Sequence, residues 1–156
     1  MIALPSIQRV VAFDSLIGRT DTRVLAAQWI ASHVRDEERV GQIPPALIYP
    51  DFGVPKPVNL ATFDITRKAF VTGDGTSVSP DWILVPTSPL SEYTVAPNEL
   101  TNIANRDFVR ETTIPATHGS EMSGWFDQQD LFFMPFTTFS MRDRPGPEIQ
   151  IFRRRR

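Results

Sequence analysis

Histidine and carboxylates come together once in this sequence. His118 is followed by Glu121, Asp127 and Asp130, in a stretch that also carries Gly119 and Gly124. Imidazole nitrogen and carboxylate oxygen are donors that suit zinc or manganese, and a metal held by them could activate water for hydrolysis. A stand-alone metal-dependent or hydrolytic enzyme using these four residues is therefore one reading. Against it, the spacing is irregular, Pro115 to Asp130 reads as loop, and no second histidine lies nearby. The same residues serve equally as loop caps and turn formers.

Arg23 is the next polar residue of interest. It falls near the apolar face of a helix, in the first turn, where a guanidinium needs an anionic or carbonyl partner. Its planar fork could hold a carboxylate or phosphate at a cleft, or pair inside the domain with Asp21. Trp125, Phe126, Phe132, Phe133, Phe136 and Phe139 are core material by default. Their alternative is an exposed aromatic shelf on which sugar rings stack, or a docking face for a partner. Arg153 to Arg156 form a terminal cationic run, read either as a loose tail or as a contact for an anionic lipid surface. His33 suits a helix C-terminus as a cation or hydrogen-bonder. Ser88 and Ser91 lack the context of a nucleophile elbow. Gly73-Asp74-Gly75 fits neither the dinucleotide nor the phosphate-loop spacing. The acidic run Asp36-Glu37-Glu38 reads as a solvated turn.

The elements that must position these groups fit in one domain, since 156 residues are enough for a real core. A net charge of −2 gives no general attraction to nucleic acid. With no cysteine there are no disulfides or thiolate metal sites. No run of about 18 apolar residues spans a membrane, and Met1 to Pro5 is too short for a signal peptide.

Asp21 to Val34 announces the main helix. Asp21 is a good N-cap, and Ala26, Ala27 and Ala31 favour helix and close approach. At about 100° per residue, Val24, Ala27, Ile30, Ala31 and Val34 share a face, with Leu25 and Trp29 opposite and Gln28 and Ser32 wet. Arg9 to Leu16 reads as a strand before it and Val40 to Ile43 as a strand after it, giving a β–α–β unit over 9–43. Pro44, Pro45, Pro50, Pro55 and Pro57 mark an extended excursion. Strands follow at 59–65 and 69–72, and a turn at 73–77. Pro80 to Pro86 is the strongest strand, apolar enough to be buried on both sides. Pro97 to Ala104 is a short helix with proline at its start. Phe108 to Ile114 and Glu148 to Phe152 are strands, whereas Pro135 argues against a regular strand at 131–139. The fold class is α/β: a mixed sheet with one main helix at about 21–35 and a short second helix at about 97–104.

Two groups of residues together resemble a known family. Asp21-Thr22-Arg23 opens a helix carrying Ala27 and Trp29-Ile30, and Pro80-Asp81-Trp82-Ile83-Leu84-Val85 follows. Near the end come Phe126-Asp127, Asp130 to Pro135, then Arg144-Pro145-Gly146-Pro147 and Ile149 to Phe152. This order is similar to the C-terminal extramembrane domain of membrane glycosyltransferases of the dolichyl-phosphate-mannose–protein mannosyltransferase-like family. The resemblance spans nearly the whole chain through short motifs. It implies a single soluble domain, 1–156, severed from a larger membrane protein and lying on the extracytoplasmic (periplasmic or cell-surface) side. The parent would use a polyprenyl-phosphate sugar. The reacting acidic residues would sit among membrane helices, leaving this piece with no catalytic residue and no cofactor. Its partners would be its own transmembrane domain and a glycan or protein acceptor, with Arg23, Trp125, Asp127 and Asp130 as binding residues. A protein-interaction domain without a small-molecule ligand is the third reading.

Overall fold

The computed structural model of the chain describes residues 3–43, 59–87, 96–118, 133–135 and 142–156. Helices α1 (Ala3–Ile17) and α2 (Thr22–His33) lead into strand β1 (Arg39–Gln42). Strands β2 (Asn59–Asp64), β3 (Ala69–Val71), β4 (Ser77–Val78) and β5 (Trp82–Thr87) follow, then helix α3 (Asn98–Asp107) and strands β6 (Phe108–Ile114) and β7 (Glu148–Arg154). All seven strands join one sheet in the order β4-β3-β2-β1-β5-β7-β6. β1 sits in the middle, parallel to β2 and β5. Both flanks are antiparallel. The sheet is therefore mixed and the fold is α/β, with the two helices expected at its sides.

β5 is buried along all but its last residue, as its continuous apolar run requires. Pro80-Asp81 sets where it begins. The Asp81 carboxylate accepts from the Arg39 backbone N–H at 2.9 Å, and the Asp81 N–H donates to the Arg39 carbonyl at 2.9 Å. The Asp81 carbonyl then accepts from the Arg154 N–H at 2.8 Å. One residue thus fixes β1, β5 and β7 at a common level. Gly41 lies opposite Ile83 in the register. A Cβ there would collide with the Phe70 ring and Pro80, so the core has closed over the missing side chain.

The two helices cover opposite faces. Side chains alternate along a strand, and Val40 and Trp82 are register partners, as are Gly41 and Ile83. Trp82 meets Trp29 of α2 edge-on, with ring centroids 5.5 Å apart. On the other face Phe70 shares a cavity wall with Ile103 of α3 and with Phe108. α3 buries Leu100 and Ala104, carries Glu99 in its first turn and Arg106 in its last, and so complements its dipole.

Three expectations need correction. Residues 9–16 are not a strand: they lie within α1, so the chain opens helix–helix–strand and there is no β–α–β unit over 9–43. Val10, Val11 and Phe13 imitate a strand, but Ile7, Val10 and Val11 are also three and four apart, the helical spacing. The second correction concerns α2. Its buried side chains are Thr22, Arg23, Ala26, Ala27 and Ile30, while Val24 is exposed. The helix is rolled so that Ala26 and Ala27 face the sheet, where small side chains permit a close approach. Third, the acidic turn is not wholly solvated, because Glu38 is buried. The expected excursion at 44–57 lies outside the described residues, as does most of 131–139; of that stretch Phe133 and Met134 are buried.

Candidate functional site

Asp21 holds the start of α2 in two ways. Its Oδ1 accepts from the Arg23 N–H at 2.8 Å, which is the N-cap bond. The same carboxylate takes the Arg23 fork, Oδ1 from Nε at 2.9 Å and Oδ2 from Nη2 at 2.7 Å. This bidentate pair is what allows a guanidinium to be buried on α2. The Arg23 Cζ also lies 5.9 Å from the centre of the fully buried Phe133 ring.

The other half of the site comes from the far end of the chain. The Thr22 N–H donates to the Pro145 carbonyl at 3.0 Å. Gly146 follows with φ of +94°, and a Cβ there would strike both Thr22 Oγ1 and Asp21 Oδ1. Arg142 Nη2 donates to the Gly146 carbonyl at 2.6 Å, and Arg19 Nη1 to the Asp143 carbonyl at 2.9 Å. Asp21-Thr22-Arg23 and Arg144-Pro145-Gly146-Pro147 are therefore the two sides of one junction. Asp21 meets Arg23 there, and glycine brings the backbones together. What such an arrangement can do is fix the exit of α1 relative to the sheet.

A second cluster lies where α2 ends. Burial of Glu38 opposes its ionisation. Arg35 overcomes this, donating from Nη2 at 2.9 Å and from its backbone N–H at 2.9 Å, and holds the carboxyl at about 2. The Trp82 indole N–H, near the carboxylate but outside hydrogen-bonding geometry, adds to this. Trp82 stacks in turn under the Arg153 guanidinium, 5.1 Å from Cζ to the ring centre. Trp29 stacks flat on His33 at 4.3 Å, and His33 Nδ1 lies 2.9 Å from the Trp29 carbonyl. His33 is thus a hydrogen-bonder of the last helical turn.

His118 is exposed and its Nδ1 lies 2.6 Å from Asp143 Oδ1. That brings it to the loop before Gly146, which the sequence did not suggest. Glu121, Trp125, Asp127 and Asp130 lie outside the described residues, as do Ser88 and Ser91. Among the described residues no three histidine, aspartate or glutamate side chains gather as a metal site. No helix among them is long and apolar enough to cross a membrane. Arg153 and Arg154 are strand residues of β7 rather than a loose tail. Sequence reasoning missed Glu38 and Arg142. Both are charged residues in loop-like context, and their burial follows only from what packs over them. No family model, no curated protein and no solved structure matches the chain.

Proposed function

We propose that this chain is the extracytoplasmic, non-catalytic domain of a polyprenyl-phosphate-sugar-dependent membrane glycosyltransferase, bracing the membrane domain or orienting the acceptor. One observation carries the reading: α1 stands clear of the core, exposed on every side from Ser6 to Ser15, and its apolar residues are uncovered with the rest. Ile7, Val10 and Val11 are 56%, 58% and 61% exposed, while Leu16 is buried. At about 100° per residue the three gather within roughly a quarter of the helix circumference and Leu16 points the other way. An apolar stripe left uncovered on a helix that packs on no core calls for an apolar partner. A membrane domain or the adjoining bilayer surface supplies one. The junction of Asp21-Thr22-Arg23 with Pro145-Gly146 supports the reading from a second side. The motifs that carry the family resemblance meet there, and they fix the base of α1 to the sheet.

The test has two arms. The genomic reading frame upstream of Met1 is expected to encode several apolar segments of about 20 residues; a stop codon immediately upstream would overturn the proposal. The purified 156-residue chain, given a polyprenyl-phosphate sugar and an acceptor peptide or glycan, is expected to show no transfer. Turnover by the domain alone would also overturn it.

A further inference from the structure

We propose that the recess at the end of β7 is a binding site for a phosphate ester. The recess holds about 320 Å³ and is lined by Arg153, Arg154, Arg155, Arg156, Val109 and Glu111. Its floor is the cross-strand pair Val109 and Arg153, and Val109 is 51% exposed. The site does not depend on the glycosyltransferase reading.

Three of the four cations there are held in place rather than trailing. Arg153 is stacked on the Trp82 ring. Arg154 lies over Phe108, with Cζ 5.9 Å from the ring centre. Arg155 is tied by its backbone N–H to the Asp107 carbonyl at 3.0 Å, and by Nε to the Phe108 carbonyl at 3.0 Å. Side chains already ordered by the fold lose less entropy when they take a ligand.

The charge is equally one-sided. Among the described residues none of these four guanidinium groups forms a salt bridge, and Glu111 is the only side-chain carboxylate in the lining. The nearby Asp107 is paired with Arg106 at 2.7 Å and only its longer-range field reaches Arg154 and Arg155. The chain as a whole carries −2, so this concentration of positive charge runs against its average. Four like charges in adjacent positions repel one another, and a bound anion relieves that repulsion.

Arginine forks match the oxygens of a phosphate in bidentate fashion. All four arginines line the recess, so more than one fork can reach a phosphate group placed there. Val109 offers the apolar surface that the organic arm of an ester would rest on. A soluble phosphate monoester and the head group of an anionic phospholipid share this chemistry.

Both sources can be tested on the full chain. Glycerol phosphate is titrated by calorimetry, and vesicles of phosphatidylcholine with or without phosphatidylglycerol are tested by sedimentation. Saturable binding of at least one probe is expected. Arg155→Gln with Arg156→Gln should weaken it by about tenfold or more, from the loss of charge-assisted hydrogen bonds. Arg67→Gln, at a distant turn, should leave it unchanged. Preference for glycerol phosphate identifies a soluble ester and preference for the anionic vesicles a lipid; either supports the site. Because Arg153 packs on Trp82, Arg153→Gln is scored only alongside its unfolding midpoint, and the 155/156 pair decides. No saturable binding of either probe, or equal loss in Arg67→Gln, overturns the proposal.

Discussion

Gly146 shows how much one side chain can decide. Its φ of +94° is left-handed, and the space where a Cβ would stand is filled by Thr22 and Asp21. Gly146→Ala combines backbone strain with overpacking and is expected to cost about 3 kcal/mol, read from urea unfolding. Asp21 is the partner residue. Asp21→Ala removes both the cap and the carboxylate that takes the Arg23 fork, so a loss of about 2–4 kcal/mol is expected. Asp21→Asn keeps a capping oxygen and should lose clearly less; equal losses would mean that the cap adds nothing beyond the ion pair. Glu38 gives a pH signature. Its folded carboxyl sits at about 2 against an ordinary 4.5, so its contribution is complete above about 4.5 and disappears as pH falls towards 2. Arg35 is 59% exposed, and solvent screening limits the effect to about 1 kcal/mol. Glu38→Gln should therefore be less stable than the parent at pH 7 and indistinguishable from it near pH 2. Asp21 was legible in the sequence because a cap acts through local geometry. Glu38 was not, since nothing in Asp36-Glu37-Glu38 tells which of the three will be covered by Trp82.

Among the elements, α2, β5 and α3 could be read from the chain because their signals are local: a capping aspartate, an unbroken apolar run and a proline at a helix start. α1 could not. Sequence periodicity assigns a face on the assumption that apolar residues point to their own core, and α1 is exposed on every side from Ser6 to Ser15. The β-branched pair Val10-Val11 then favoured a strand. The roll of α2 was hidden for a related reason: two alanines and a paired arginine make a less apolar stripe than the one containing Val24, yet they fit closer to the sheet. If α1 presents its stripe to a membrane domain, Ile7→Ser, Val10→Ser and Val11→Ser together should leave thermal unfolding of the isolated chain nearly unchanged, since surface substitutions stay within about 0.5 kcal/mol each. The same triple substitution in a full-length parent should weaken protease protection of the domain by its membrane half. Unaltered protection would remove α1 from that interface.

At the scale of the whole molecule, the junction of Asp21 with Gly146 and the arginine recess lie at opposite ends of β7. Glu148 follows Pro147 directly, and Arg154 ends the strand six residues later, about 20 Å at roughly 3.4 Å per residue. α1 leaves from the first end, so a partner gripping α1 leaves the recess open at the second. β7 also runs between β5 and β6, although it comes last in the chain. A polypeptide growing from its N-terminus therefore meets its partner for β6 only after every other sheet strand has been made. Until then β5 and β6 carry unpaired backbone edges, the condition that invites aggregation. Folding of this domain must wait for the ribosome to release its final strand, and a nascent chain stalled before Glu148 should remain sensitive to protease.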